Sequence, residues 1–78
     1  MKVTVLIRPK PGILDPQGEA VRDSLGKLGF AVTAARIGRL VDLELEADTP
    51  ERARAEAEQM CRELLANGLI ESYEVEVG

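Results

Sequence analysis

Two prolines fix where this chain can be helical. Asp15-Pro16 and Thr49-Pro50 each set a capping side chain directly before a proline. Proline suits the first helical position, where its φ is already right and no amide hydrogen is needed. An apolar stripe of helical period follows each pair. Val21, Leu25 and Leu28 recur at i, i+4 and i+7 after the first; Ala53, Ala57, Met60, Cys61, Leu64 and Leu65 follow the second. Gly29 and Asn67-Gly68 stand where the helices should stop. The spacing predicts a first helix over residues 15 to 28 and a second from residue 50 to Asn67.

The rest of the chain reads in steps of two. Val3, Val5 and Ile7 share one face of an opening strand, which Pro9-Lys10-Pro11-Gly12 ends. Phe30 to Ala35 predicts a short strand, weakened by its alanines. Val41, Leu43 and Leu45 then oppose Asp42, Glu44 and Glu46, and Tyr73, Val75 and Val77 alternate with Ser72, Glu74 and Glu76. A straight strand would put Arg39 on the face of Ile37 and Val41, so Gly38 is expected to mark a bend that releases this arginine. The order is β-α-β-β-α-β, with the middle pair either two strands or one long bent strand.

That order predicts one α+β domain over residues 1–78, a two-layer ferredoxin-like fold. Its sheet is antiparallel-rich, in strand order 4-1-3-2, with two helices on one face. Charge supports the order independently. Lys2 and Arg8 on the first strand would separate the acidic row of the third from that of the fourth. Leu6, Leu40 and Ile70 on the outer face would suit a sheet-to-sheet dimer.

Such a short chain has a thin stability margin. Phe30 and Tyr73 are the only aromatics among 78 residues, so the core must be built from small aliphatics, and association would help it. A net charge of −4 argues against a nucleic-acid binder, which needs clustered Lys and Arg. No apolar run approaches the roughly 18 residues of a membrane span, and no signal-peptide pattern opens the chain. The lone Cys61 makes a reducing cytoplasm the expected compartment.

Reactive chemistry is hard to assemble from these residues. There is no histidine, hence no usual general base and none of the commonest metal ligand. Cys61 lies in an apolar helical stripe and reads as a structural thiol. Gly26 and Gly29 lie within and after a helix, not ahead of one, so they form no phosphate loop. No catalytic residue and no metal site is expected. Two features stay open. Asp15-Pro16-Gln17-Gly18 can be a helix start or a binding loop, and Gly18 would permit close approach by another chain. Arg36 and Arg39 offer two fork-shaped donors, either solvated or reaching a carboxylate, a phosphate or a partner's backbone.

Leu14-Asp15-Pro16-Gln17-Gly18, Val21, Arg36-Ile37-Gly38-Arg39, Met60-Cys61 with Leu64-Leu65-Ala66-Asn67, then Ile70-Glu71 and Tyr73 together resemble the PurS family. This is the small subunit of phosphoribosylformylglycinamidine synthase in purine biosynthesis, and the resemblance spans essentially the whole chain. It implies a homodimer or higher homo-oligomer that joins a synthetase subunit (PurL) to a glutaminase subunit (PurQ). The complex is a glutamine- and ATP-dependent ligase that turns formylglycinamide ribonucleotide into the amidine. ATP and Mg would be used by the synthetase partner and no cofactor by this chain, whose part is assembly and ammonia transfer. On that basis Asp15, Pro16, Gln17, Gly18, Arg36, Gly38, Arg39 and Asn67 are the expected partner-interface residues, with Asn67 first a helix stop.

A second resemblance competes. Arg8-Pro9-Lys10-Pro11-Gly12-Ile13-Leu14 is similar to the turn after the first strand of ACT domains, small regulatory modules that bind an amino acid at a dimer interface. Against it, no attached catalytic domain is expected, and ACT domains do not require the later motifs.

Overall fold

A computed structural model of the chain describes Met1 to Gly78. Its elements are β1 (Lys2–Pro9), α1 (Pro16–Lys27), β2 (Arg39–Glu44), α2 (Pro50–Met60) and β3 (Glu71–Val77). Both helices start as their sequences predict. Asp15 accepts the Gly18 N–H at 3.0 Å and Thr49 accepts the Arg52 N–H at 3.2 Å, each satisfying a donor that the first helical turn leaves free. A π-helical turn, Cys61–Leu65, extends α2 and closes with the Ala66 N–H on the Cys61 carbonyl at 3.0 Å.

The sheet has the order β2-β1-β3, and β1 is antiparallel to both neighbours. Val5 of β1 lies between Val41 and Val75, and Val3 between Leu43 and Val77, so the alternating apolar sets meet on one face. Across that face α2 lays Ala53, Ala57 and Cys61, spaced one helical turn apart. These small side chains let the helix settle directly on Val3, Val5, Ile7 and Val75. Each of the β1 side chains in this layer contributes about 1.5–3 kcal/mol by leaving water. Arg54 adds a strap from α2 to the sheet, donating to the Val75 carbonyl at 2.8 Å.

Three expected strands thus hold the middle and outer places of a ferredoxin-like α+β sheet. The segment Phe30–Ala35 does not form the fourth. It is not hydrogen-bonded as a strand, and residues 31 to 36 enter no backbone hydrogen bond at all. The middle of the chain takes the long-run alternative, with no turn between Ala34 and Arg39. Eleven residues from Ala34 to Glu44 at about 3.3 Å each would span about 36 Å, along a molecule whose longest dimension is 49 Å. Helix α1 rides beside this run, away from the sheet, and α2 alone packs on β1 and β3. The radius of gyration is 15.6 Å, where a closed domain of this length has roughly 11–12 Å.

Candidate functional site

The residues that the sequence singles out converge where β1 ends, β2 and β3 begin and α1 starts. Asp15 is the pivot. One carboxylate oxygen caps α1, and the other accepts the Ile37 N–H at 2.7 Å, tying the helix start to the segment that leads into β2, 22 residues later. The Ile37 and Gly18 amides hold its carboxyl below the usual carboxylate range. Gly18 does allow close approach, but of this chain's own backbone: a methyl there would overlap the Ala35 carbonyl oxygen. Gly38 is used in the same way, with its α-carbon seated on the Ile7 carbonyl. Together these contacts make a stiff elbow at the base of α1.

Arg36 closes the elbow from the other side. Its Nη2 donates to the Lys10 carbonyl at 2.7 Å and the Pro9 carbonyl at 3.3 Å. The remaining guanidinium donors are free of protein partners, and the residue is exposed. Two open clefts flank it. One, of about 340 Å³, lies toward Gly12, Leu14, Glu19 and Arg22; the other, of about 310 Å³, lies toward Leu6, Arg8, Arg39 and Leu40. Pro16 and Gln17 are exposed beside them, and the Gln17 side-chain amide makes no hydrogen bond within the chain.

Arg39 is not released from its strand by a bend at Gly38. It pairs opposite Ile7 in the ladder and keeps the parity of Val41, so it lies at the rim of the core face. There its guanidinium forks onto Glu71, at 2.7 and 3.0 Å, and Nη2 also donates to the Leu65 carbonyl at 2.9 Å. The bidentate geometry raises the Arg39 pKa and, with the Asn67 amide at 2.8 Å, lowers that of Glu71. Asn67 builds the turn itself. Its side-chain oxygen accepts the Leu69 N–H at 3.0 Å, and its carbonyl accepts the Ile70 and Glu71 amides. Lys10 locks the opposite side, with Nζ on the Gly68 carbonyl at 2.6 Å.

The titratable groups here are engaged in holding backbone. Cys61, fully buried against β1, has its thiol pushed up by that burial and then by Glu58, the opposite of an activated nucleophile. Glu71 and Lys10 were not among the expected partner-interface residues. Glu71 could have been found by parity: it is the one acid on the Tyr73, Val75, Val77 side of its strand, as Arg39 is the one base on the Val41 side of its own.

Residues 2–78 match the PurS family model, described as phosphoribosylformylglycinamidine (FGAM) synthase. The chain belongs to the PurS family. Subunit PurS of FGAM synthase from Methanocaldococcus jannaschii is 38% identical over 97% of this chain and 93% of its own length. The Thermotoga maritima PurS crystal structure superposes with a TM-score of 0.90 at 32% identity, covering 99% of this chain and 90% of that one. A chain of the T. maritima PurLQS structure gives 0.89 at 32% identity, covering 99% and 95%. The ACT alternative finds no support in these relatives, all of which are PurS subunits. No helix is long and apolar enough to cross a membrane.

Proposed function

We propose that this chain is the small, non-catalytic subunit of an FGAM synthase, bridging a PurL-type synthetase and a PurQ-type glutaminase and assisting ammonia transfer between them. The observation that supports this best is the likeness, along nearly the whole chain, to a chain of the PurLQS structure. The reaction consumes formylglycinamide ribonucleotide, ATP, glutamine and water and yields the amidine, ADP, phosphate and glutamate. The partner synthetase uses the ATP and Mg, and the work takes place in the cytoplasm. Ammonia freed in water is protonated and loses its nucleophilic pair, so two active sites gain from a rigid bridge that keeps them facing one another.

The elbow supplies a surface for that bridge. Gln17 presents a free amide and Arg36 free guanidinium donors beside two clefts, on backbone that Asp15, Gly18 and Gly38 hold still. The partner-facing residues are then Pro16, Gln17 and Arg36. Asp15, Gly18, Gly38, Arg39 and Asn67 act by fixing the surface that those three offer.

Reconstitution with purified synthetase and glutaminase subunits tests this. Leaving the chain out should abolish glutamine-dependent amidine formation while ammonia-dependent formation persists. Gln17→Ala should weaken assembly and change the stability of the isolated chain by less than about 0.5 kcal/mol. Glutamine-dependent turnover that is unchanged without the chain overturns the reading.

A further inference from the structure

One edge of the sheet runs open along β3, which pairs with β1 alone. The Lys10 N–H on the Ile70 carbonyl at 2.9 Å and the Gly78 N–H on the Lys2 carbonyl at 3.1 Å fix which β3 residues bond inward. They are Ser72, Glu74 and Glu76, at steps of two between those ends. Tyr73, Val75 and Val77 therefore turn their N–H and C=O groups outward. Of these groups only the Val75 carbonyl has a partner, the Arg54 guanidinium at 2.8 Å. The rest form a ready ladder for one more strand.

Acids flank that ladder on both sides. On the core side, one face of α2 sets Glu51, Arg54, Ala55 and Glu58 beside Val77 around an open cleft of about 340 Å³. On the outer face, Glu74 and Glu76 alternate with the core residues of β3. Arg54 is engaged on the Val75 carbonyl, and Arg8 on Glu74 at 3.0 Å. Glu51, Glu58 and Glu76 have no base within ion-pair distance. A second copy added edge to edge would set these acids against their own counterparts, since a two-fold axis brings the same patch to both sides. An extended segment bearing Lys or Arg would instead meet opposite charge on either face.

We infer that the β3 edge is a second docking surface, which takes an extended, Lys- or Arg-bearing segment of a partner subunit as an added strand. Main-chain bonds to Tyr73, Val75 and Val77 give it affinity, and the acids on the two faces select a basic sequence. The inference rests on the bridging role proposed above and adds to it, because a bridge needs two separate surfaces. The elbow lies where β3 begins, and Val77 stands about 20 Å farther along the strand. The subunit held at this edge is thus the one that does not sit on Gln17 and Arg36.

Amide hydrogen exchange is measured on the whole chain, alone and then with the purified synthetase or glutaminase subunit. Alone, the Tyr73, Val75 and Val77 amides should exchange at least about tenfold faster than those of Glu74 and Glu76; with one of the two subunits they should slow by at least about 100-fold. Val77→Pro, which removes an outward N–H and no bond to β1, should weaken binding of that subunit at least about tenfold. The exposed Glu76→Lys should weaken it at least about threefold, and both variants should leave the other subunit's affinity within about twofold. Gln17→Ala should show the reverse preference. Protection of the three amides in the chain alone, equal to that of Glu74 and Glu76, would place a second copy at the edge and overturn the inference. A complex in which they stay open overturns it and leaves the bridging role standing, whereas no complex with either subunit overturns both.

Discussion

The body and the arm of this molecule are stabilised by different physics. The body, β1, β2, β3 and α2, buries seven apolar side chains in one continuous layer. The arm, residues 12–38, buries a single residue, Gly18, which has no side chain to bury. Hydrophobic burial therefore holds the body, whereas a handful of directed hydrogen bonds to backbone holds the arm in its pose. The difference teaches that the motif around Asp15 and Arg36 fixes a direction. Such a surface can be offered to another chain without rearranging a core.

The largest effects should fall in the body. Ile7, 1% exposed at the centre of the core, should cost about 2–5 kcal/mol when cut to alanine, read from the urea midpoint. If Leu14→Ala in the arm cost as much in a dilute monomer, the distinction between the two regions would be wrong. Next comes the junction. Gly38→Ala should cost about 1–3 kcal/mol, because the added methyl meets the Ile7 carbonyl oxygen rather than a movable side chain. A neutral result would mean that the elbow is softer than its geometry indicates.

The smallest effect is electrostatic and acts at low pH. Hydrogen bonds in the folded chain hold Asp15 below its ordinary 3.8 and Glu71 below its ordinary 4.5. The unfolded chain therefore takes up these protons first as the pH falls. Their contribution should be complete above about pH 5 and disappear as the pH drops through the lower folded-state values. Arg39→Lys removes the fork on Glu71, and an NMR titration should show the Glu71 carboxyl moving up toward 4.5 while Asp15 stays put. Movement of both carboxyls together would show the two ties to be one network.

Much of the body was legible in the sequence because local signals agreed there. Period-two alternation placed Val3, Val5 and Ile7, and Thr49-Pro50 with its alanine stripe placed α2. The arm misled for a physical reason. Phe30–Ala35 has strand-like residues, yet a strand needs a neighbour, and the sequence does not reveal whether the chain reverses at Gly38 or runs on. The same limit governed the site. Asp15 was read as a cap, but its second bond, to Ile37, is long-range. Arg39 was expected to be released outward, since burying the rim of a strand under an arginine looks costly until Glu71 is seen opposite it.

One measurement bears most directly on the claim that the body holds the fold while the arm offers a surface to another chain. It is the dissociation constant of the chain from purified synthetase and glutaminase subunits, for Gln17→Ala in the arm and Leu40→Asp on the outer face of the sheet. Both residues are exposed, so neither change should disturb the single chain. The expected result is affinity at least about tenfold weaker for Gln17→Ala, equivalent to about 1.4 kcal/mol, and less than about a threefold change for Leu40→Asp. The reverse pattern, with Leu40→Asp breaking the complex and Gln17→Ala sparing it, would contradict the claim.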